Sequence, residues 1–157
     1  IRNKHKHHKI LVFSQFVTML DLIRIELDKE EISHEYLTGK SKKREEIVHR
    51  FQNDEEVRVF LISLKAGGTG LNLTEADYVY IVDPWWNPAV ENQAIDRSYR
   101  IGQKKNVVAV RLICPDTIED KIMTLQESKR ELAEDLVRTD ASVLKSLSKS
   151  DLVSLFE

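Results

Sequence analysis

Four short apolar runs punctuate the chain, at residues 10–13, 57–64, 78–82 and 107–113. They are rich in Val, Ile and Phe and mostly uninterrupted by polar residues. That is the pattern of strands buried on both faces of a parallel sheet. A weaker strand is predicted at Ser33–Leu37. Between the runs, apolar positions recur at helical spacing near residues 17–29, 41–52 and 88–100. Strand and helix alternate, which predicts an α/β fold with a mainly parallel sheet and right-handed crossovers. Thr117-Ile118-Glu119-Asp120 reads as a capped helix start. Ile118, Ile122, Leu125, Leu132 and Leu136 continue it as an apolar stripe to about residue 136. Residues 140–157 are rich in Ser and Leu and predict one or two short helices or a partly ordered tail. No internal repeat is visible.

Composition narrows the picture. A length of 157 residues with 41% hydrophobic and 32% charged residues fits one soluble globular domain with a real core. No apolar run is long enough to span a bilayer, and no signal peptide is visible. Cys114 stands alone, so no internal disulfide can form, as expected of a reducing intracellular compartment. The net charge of −2 and pI near 6.3 do not describe a surface coated in positive charge. Any nucleic-acid contact must come from a local patch and from backbone amides. Basic residues do cluster, first at Arg2, Lys4, Lys6 and Lys9, then at Lys40, Lys42, Lys43 and Arg44. Acid gathers late, at Glu127, Glu131, Glu134 and Asp135.

Candidate chemistry concentrates in a few stretches. Asn87-Pro88 is a helix start, with Asn as cap and Pro at the first helical position. On the helix that follows, Gln93, Arg97 and Arg100 are spaced four and three apart and share one face. Such a face can grip a polyanion or stabilise charge on a transferring phosphoryl group; a solvated helix side is the plain alternative. Ser63-Leu64-Lys65-Ala66-Gly67-Gly68-Thr69-Gly70-Leu71-Asn72-Leu73 is a glycine-rich loop directly after an apolar strand. Its glycines permit close backbone approach, and its N–H groups can cradle phosphate oxygens. Asp83-Pro84-Trp85-Trp86-Asn87-Pro88 follows the next strand. Ser14-Gln15-Phe16 closes the first strand, where open α/β sheets bind ligands, although an ordinary strand-end turn would read the same. Gly39-Lys40-Ser41 imitates the end of a P-loop, but the required upstream glycine is His34, so that motif is rejected. Ser41 instead reads as the cap of a helix whose lysine-rich start suits phosphate, or as a solvated basic turn. His5, His7 and His8 lack the cysteines or carboxylates that would complete a metal site, and no zinc signature, catalytic triad or paired carboxylates are recognisable.

The glycine-rich loop, the Asp-Pro-Trp-Trp-Asn-Pro element and Gln93…Arg97…Arg100, in this order, resemble the second RecA-like lobe of Swi/Snf-type ATPases. These are superfamily 2 DNA translocases, and the resemblance covers residues 9 to about 135. It implies a three-layer RecA-like fold over 9–116, with helices on both faces of the sheet. A brace helix at 117–136 follows, between a flexible basic segment at 1–8 and a tail at 137–157. It further implies Arg97 and Arg100 as paired arginine fingers with Gln93 beside them, and Gly68, Gly70 and Asp96 on the nucleotide side. Ser14, Gln15, Gly39, Lys40, Ser41, Lys42, Lys65, Gly67, Thr69, Asn72 and Trp86 would contact DNA. Relatives often carry Arg at the position of Lys65, which keeps the charge but not the planar fork. Strand-separating relatives usually carry Gly where this chain has Asp96. The P-loop and the Asp-Glu box that organises Mg²⁺ belong, in the family, to a first lobe upstream. ATP and Mg²⁺ would therefore be held mainly there. The implied partners are that lobe, double-stranded DNA and a DNA-bound protein being remodelled, with no membrane. The last residues resemble the end of bacterial members, which leans localisation toward cytoplasm and nucleoid, or the nucleus for a eukaryotic source. The alternative is a non-enzymatic DNA-binding or protein-docking module that has kept the fold.

Overall fold

A computed structural model describes residues 8–67, 70–85, 87–98, 103 and 105–138. In chain order the elements are β1 (Ile10–Ser14), α1 (Val17–Lys29), β2 (His34–Leu37), α2 (Arg44–Asn53), β3 (Val59–Ser63), α3 (Leu64–Gly67), β4 (Tyr78–Ile81), α4 (Pro88–Ile95), β5 (Val108–Arg111) and α5 (Ile118–Arg138). The strands form one sheet in the order β2-β3-β1-β4-β5, and every neighbouring pair is parallel. β1 lies at its centre, with Ile10 in register with both Val59 and Tyr78.

Alternation along the strands divides the core in two. Leu11, Phe13, Phe60, Ile62, Val79 and Ile81 point to one face and pack with Phe51, Leu73 and Ala94, under α2 and α4. Ile10, Val12, Val59 and Leu61 point to the other and meet Leu20 and Leu27 of α1. The result is the three-layer α/β arrangement of a RecA-like lobe. Phe51 of α2 and Phe60 of β3 lock one side of it, with ring centroids 5.0 Å apart and tilted by 43°.

β1 and β3 are buried along their whole length, as two-faced strands should be. β5 is not: Val108 is 43% exposed, and only Val110 is half-buried. As the last strand in the sheet it has a neighbour on one side only, so its apolar sequence does not report two-sided burial. Nearby Leu112, Ile113, Ile118 and Leu125 are also exposed. The stripe expected on α5 is thus partly open to solvent.

Helix ends follow local chemistry. Asn87 caps α4 through its side-chain oxygen, which accepts from the Ala89 N–H at 3.1 Å, with Pro88 inside the first turn. Thr117 accepts from the Glu119 N–H at 3.2 Å at the start of α5. Asn87→Ala should cost about 0.5–2 kcal/mol of stability, checked by chemical denaturation against wild type; an unchanged midpoint would show the cap to be idle. Ser41 does not cap α2. Its hydroxyl accepts from the Thr38 N–H at 2.9 Å and its own N–H donates to the Thr38 carbonyl, closing a turn before the helix. The residue preceding α2 is Lys43, in the left-handed region at φ 55°. His8, counted with the basic segment, pairs with Asp77 and packs edge-on against Tyr78. Lys9 also turns inward: its ammonium donates to the carbonyls of Phe51 and Asp54. Burial pushes its pKa down, so Lys9 does not belong to the exposed basic patch.

Candidate functional site

The carboxyl ends of β1 and β4 form a switch point. From β1 the chain leaves toward β2, and from β4 it leaves toward β5 on the opposite side. Open parallel sheets hold ligands at such crevices. Ser14 is buried there, and its hydroxyl accepts from the Phe16 N–H and donates to the Phe16 carbonyl, which tightens the exit from β1. Across the crevice the Asp83 carboxylate accepts from the Gln15 N–H at 2.8 Å. Asp83 is 6% exposed, and its second oxygen has no hydrogen-bond partner among the described residues. Burial pushes this carboxyl up from its ordinary value, against the neighbouring Ser14 hydroxyl and the bonds from Gln15, which favour the charged form.

A raised carboxylate has a definite sign in pH dependence. Between the ordinary and the raised value the folded chain holds a proton that the unfolded chain has released. Stability therefore falls as pH climbs through that window. Asp83→Asn keeps a carbonyl acceptor for Gln15 and removes the titration. The stability difference between wild type and this variant should shrink with rising pH across the window. A difference that stays flat would contradict the assignment.

Beside the switch point lies a cleft of about 340 Å³, lined by Gln15, Val17, Thr38, Gly39, Lys40, Ser63 and Lys65. Four of the residues singled out from sequence, Gln15, Gly39, Lys40 and Lys65, converge here from the ends of three different strands. Lys40 and Lys65 are exposed, so their charges are available at the rim. Lys65 sits on α3, a single helical turn, where the sequence had read the start of a loop. Ser41 is adjacent through its turn with Thr38, and Lys42 is exposed beyond it. Gly67 is buried for a packing reason: a Cβ there would stand 2.9 Å from Cε1 of Phe13. Gly70 holds a positive φ of 57°, which favours glycine. Asn72 is not in this cleft. It lines a separate groove of about 680 Å³ between α2 and the 70–75 segment, with Arg44, His49 and Gln52. Arg44 reaches from α2 to the Ala66 carbonyl at 2.6 Å and so links the two regions.

The helix carrying the glutamine and arginines is shorter than its spacing predicts. α4 ends at Ile95 with Asp96 as its C-cap. The Arg97 and Ser98 N–H groups then donate three residues back, to Ala94 and Ile95, at 3.2 and 3.0 Å. This tighter turn advances each residue further round the axis than an α-helix does. Gln93 is left exposed and Arg97 buried, at 6% exposure, so the two do not present one common face. The Arg97 carbonyl accepts from the Leu73 N–H at 3.0 Å, joining this turn to the glycine-rich segment. Gln103 donates to the carbonyls of Ser98 and Ala76, both at 2.9 Å, and pins the far side. Gly68, Thr69, Trp86 and Arg100 lie outside the described residues.

Residues 1–102 match the family described as the helicase conserved C-terminal domain. The chain belongs to this helicase C-terminal domain family. It is 44% identical over 158 residues to the ATP-dependent helicase rhp16 of Schizosaccharomyces pombe, covering 99% of this chain and 18% of that protein. It is 43% identical over 156 residues to transcription termination factor 2 of Drosophila melanogaster, covering 98% of this chain and 15% of that protein. The crystal structure of the C-terminal part of the Fun30 ATPase domain superposes with a TM-score of 0.74 at 38% identity, covering 76% of this chain and 39% of that one. The helicase C-terminal domain is thus of the Swi/Snf type its motifs resemble, with the RecA-like fold they imply. It spans under a fifth of the length of these two relatives. Both are eukaryotic, which lends no support to the lean toward a bacterial source. Among the described residues, no helix is long and apolar enough to cross a membrane.

Two participants escaped the sequence reading. Asp83 was read only as part of a tryptophan-bearing element, not as the residue that ties two strand ends together. Glu91 stands in none of the motifs that the sequence singles out, yet it is 0% exposed. Its spacing from Ala94 and Ser98, three and seven residues on and both buried, was the available sign.

Proposed function

We propose that this helicase C-terminal domain is the second lobe of a DNA-dependent ATPase that translocates along duplex DNA. The convergence of Gln15, Gly39, Lys40 and Lys65 in one cleft supports this reading most directly. Exposed ammonium groups beside main-chain N–H groups suit a phosphate backbone, which carries no sequence information. Ser41 and Lys42 adjoin this cleft, and Thr69 and Trp86 are further proposed DNA contacts. Ser14 and Gly67 are buried and Asn72 lines the separate groove, so any DNA contact of theirs lies outside the cleft. Binding is then sequence-tolerant and weakened by salt.

Arg97 and Arg100 are the proposed arginine fingers, with Gln93, Asp96, Gly68 and Gly70 on the nucleotide side of the cleft between lobes. A buried guanidinium such as Arg97 is poorly solvated, so its attraction to phosphate charge is little screened. Among the described residues, no three His, Cys, Asp or Glu side chains are grouped to hold a metal ion. The proposed donors here are arginine and glutamine side chains and main-chain N–H groups, which fit the phosphate charge of ATP. In the proposal, Mg²⁺ and the bulk of ATP are held by the first lobe. When bound, ATP supplies the phosphoryl transfer. The second lobe orients and neutralises charge, and its isolated form hydrolyses little or no ATP. The remaining partner is a DNA-bound protein displaced by translocation, and the nucleus is the compartment in which a role in transcription, such as the name of the Drosophila relative gives, would place such a motor.

Lys40→Ala and Lys65→Ala in the parent protein should each weaken duplex binding evenly across sequences. Each should also lower the salt slope by about one unit, read by titrations at several salt concentrations. Two unchanged slopes would remove the DNA backbone from this cleft. They would favour a docking module that has kept the fold.

A further inference from the structure

The carboxylate of Glu91 is fully buried, yet every bond it makes among the described residues leaves its own helix. One oxygen accepts from the Trp85 N–H at 2.6 Å and from the Gln126 side-chain amide at 3.0 Å. The other accepts from Nε of Arg111 at 2.6 Å. Gln126 donates from the same nitrogen to the Trp85 carbonyl as well. One side chain thereby joins α4, the 82–87 segment, β5 and α5. A core built only for stability would favour apolar residues here, since a buried ion pair seldom improves on them. A buried network in which each member is satisfied instead fixes one geometry.

The elements it joins are those the proposed function uses. α4 runs directly into the Arg97 turn, and Trp85 precedes Trp86. α5 is the expected brace, and among its described side chains Gln126 is the buried one. Rotating or sliding α5 would withdraw the Gln126 amide from Glu91 and from the Trp85 carbonyl in the same movement. We propose that Glu91 is a positioning residue that couples the placement of α5 to the Arg97 turn and to the tryptophan segment. This rests on the ATPase reading above. Glu91 itself touches neither ATP nor DNA in the proposal.

The test uses the full parent ATPase with ATP and saturating duplex DNA. Gln126→Leu and Glu91→Gln should each lower kcat at least ten-fold while leaving KM for ATP within three-fold. The amide of Glu91→Gln would turn an N–H toward Nε of Arg111, donor against donor. Adding Arg111→Gln repairs this, because a glutamine amide ends where the arginine Nε stood and supplies an acceptor there. The double variant should recover kcat to within three-fold of wild type, a rescue that a general loss of stability would not give. If Glu91→Gln does not fold, Gln126→Leu alone decides. Arg97→Ala is measured alongside. If it is inactive while Gln126→Leu and Glu91→Gln stay within two-fold of wild type, the coupling is wrong and the ATPase reading survives. The coupling also fails if the losses fall on KM or the double variant does not recover. If Arg97→Ala keeps full turnover, the arginine assignment fails and the coupling fails with it.

Discussion

Arg97→Ala in the parent protein should reduce DNA-stimulated ATP turnover by about 10³–10⁵-fold, the range an arginine finger contributes. The guanidinium acts only where charge develops on the transferring phosphoryl group. The loss should therefore fall on kcat, and ATP should still bind. The structure adds a constraint on the control. Arg97 is nearly buried and its carbonyl accepts from Leu73, so alanine also removes side-chain packing beside the glycine-rich segment. Arg97→Lys separates the two effects. It keeps a charge and most of the aliphatic stem but not the planar fork. Turnover should remain at least ten-fold below wild type while melting stays close to it. A fully active lysine variant would mean that Arg97 serves packing rather than transition-state charge.

Phe13→Ala is the largest stability loss expected. Phe13 is completely buried at the end of the central strand, and its ring edge lies where a Cβ on Gly67 would stand. Truncation removes the ring's burial and leaves a cavity beneath α3, at a cost of about 3–5 kcal/mol. For a domain of this size that corresponds to a melting temperature lower by about 6–20 °C. The effect should also reach Lys65, because α3 loses the surface it rests on. Gly67→Ala probes the same spot from the other side, overfilling it at a cost of about 1–3 kcal/mol. Melting curves of both variants check the pair. Unchanged melting for either one would show that α3 does not rest on Phe13.

The parts of the fold legible in the sequence were those with strong and uninterrupted periodicity. α1 occupies the residues its spacing predicts, β3 and β4 lie within their apolar runs, and β1 runs one residue past its own. β5 was visible as a strand but not as an exposed one, because an apolar run does not say how many neighbours a strand has. The cleft was legible in part. Glycine, serine and lysine at strand ends pointed to it, but Asn72 falls in a different groove. The arginine helix was read three residues too long in the described region, since spacing alone does not reveal a change from four-back to three-back bonding. The glutamine–arginine face was lost with it. Lys9 and Ser41 are the same kind of miss, a polar side chain whose partner is set by tertiary packing or a local turn. The Glu91 network was least legible, because its bonds run 6, 20 and 35 residues along the chain to positions with no shared motif.

The central place of β1 also bears on how the chain is made. Its hydrophobic strand leaves the ribosome before either neighbour: β3 follows about fifty residues later and β4 about seventy. At ordinary elongation rates that gap lasts about 2–15 s. Until β3 emerges, Ile-Leu-Val-Phe has both edges unpaired, and α1, β2 and α2 are the elements made in the meantime. The sheet cannot grow outward from a hairpin and must assemble around a strand that waits. Holdase chaperones that bind extended apolar segments would therefore act on this chain early in synthesis, and bacterial overproduction at reduced temperature should raise its soluble yield.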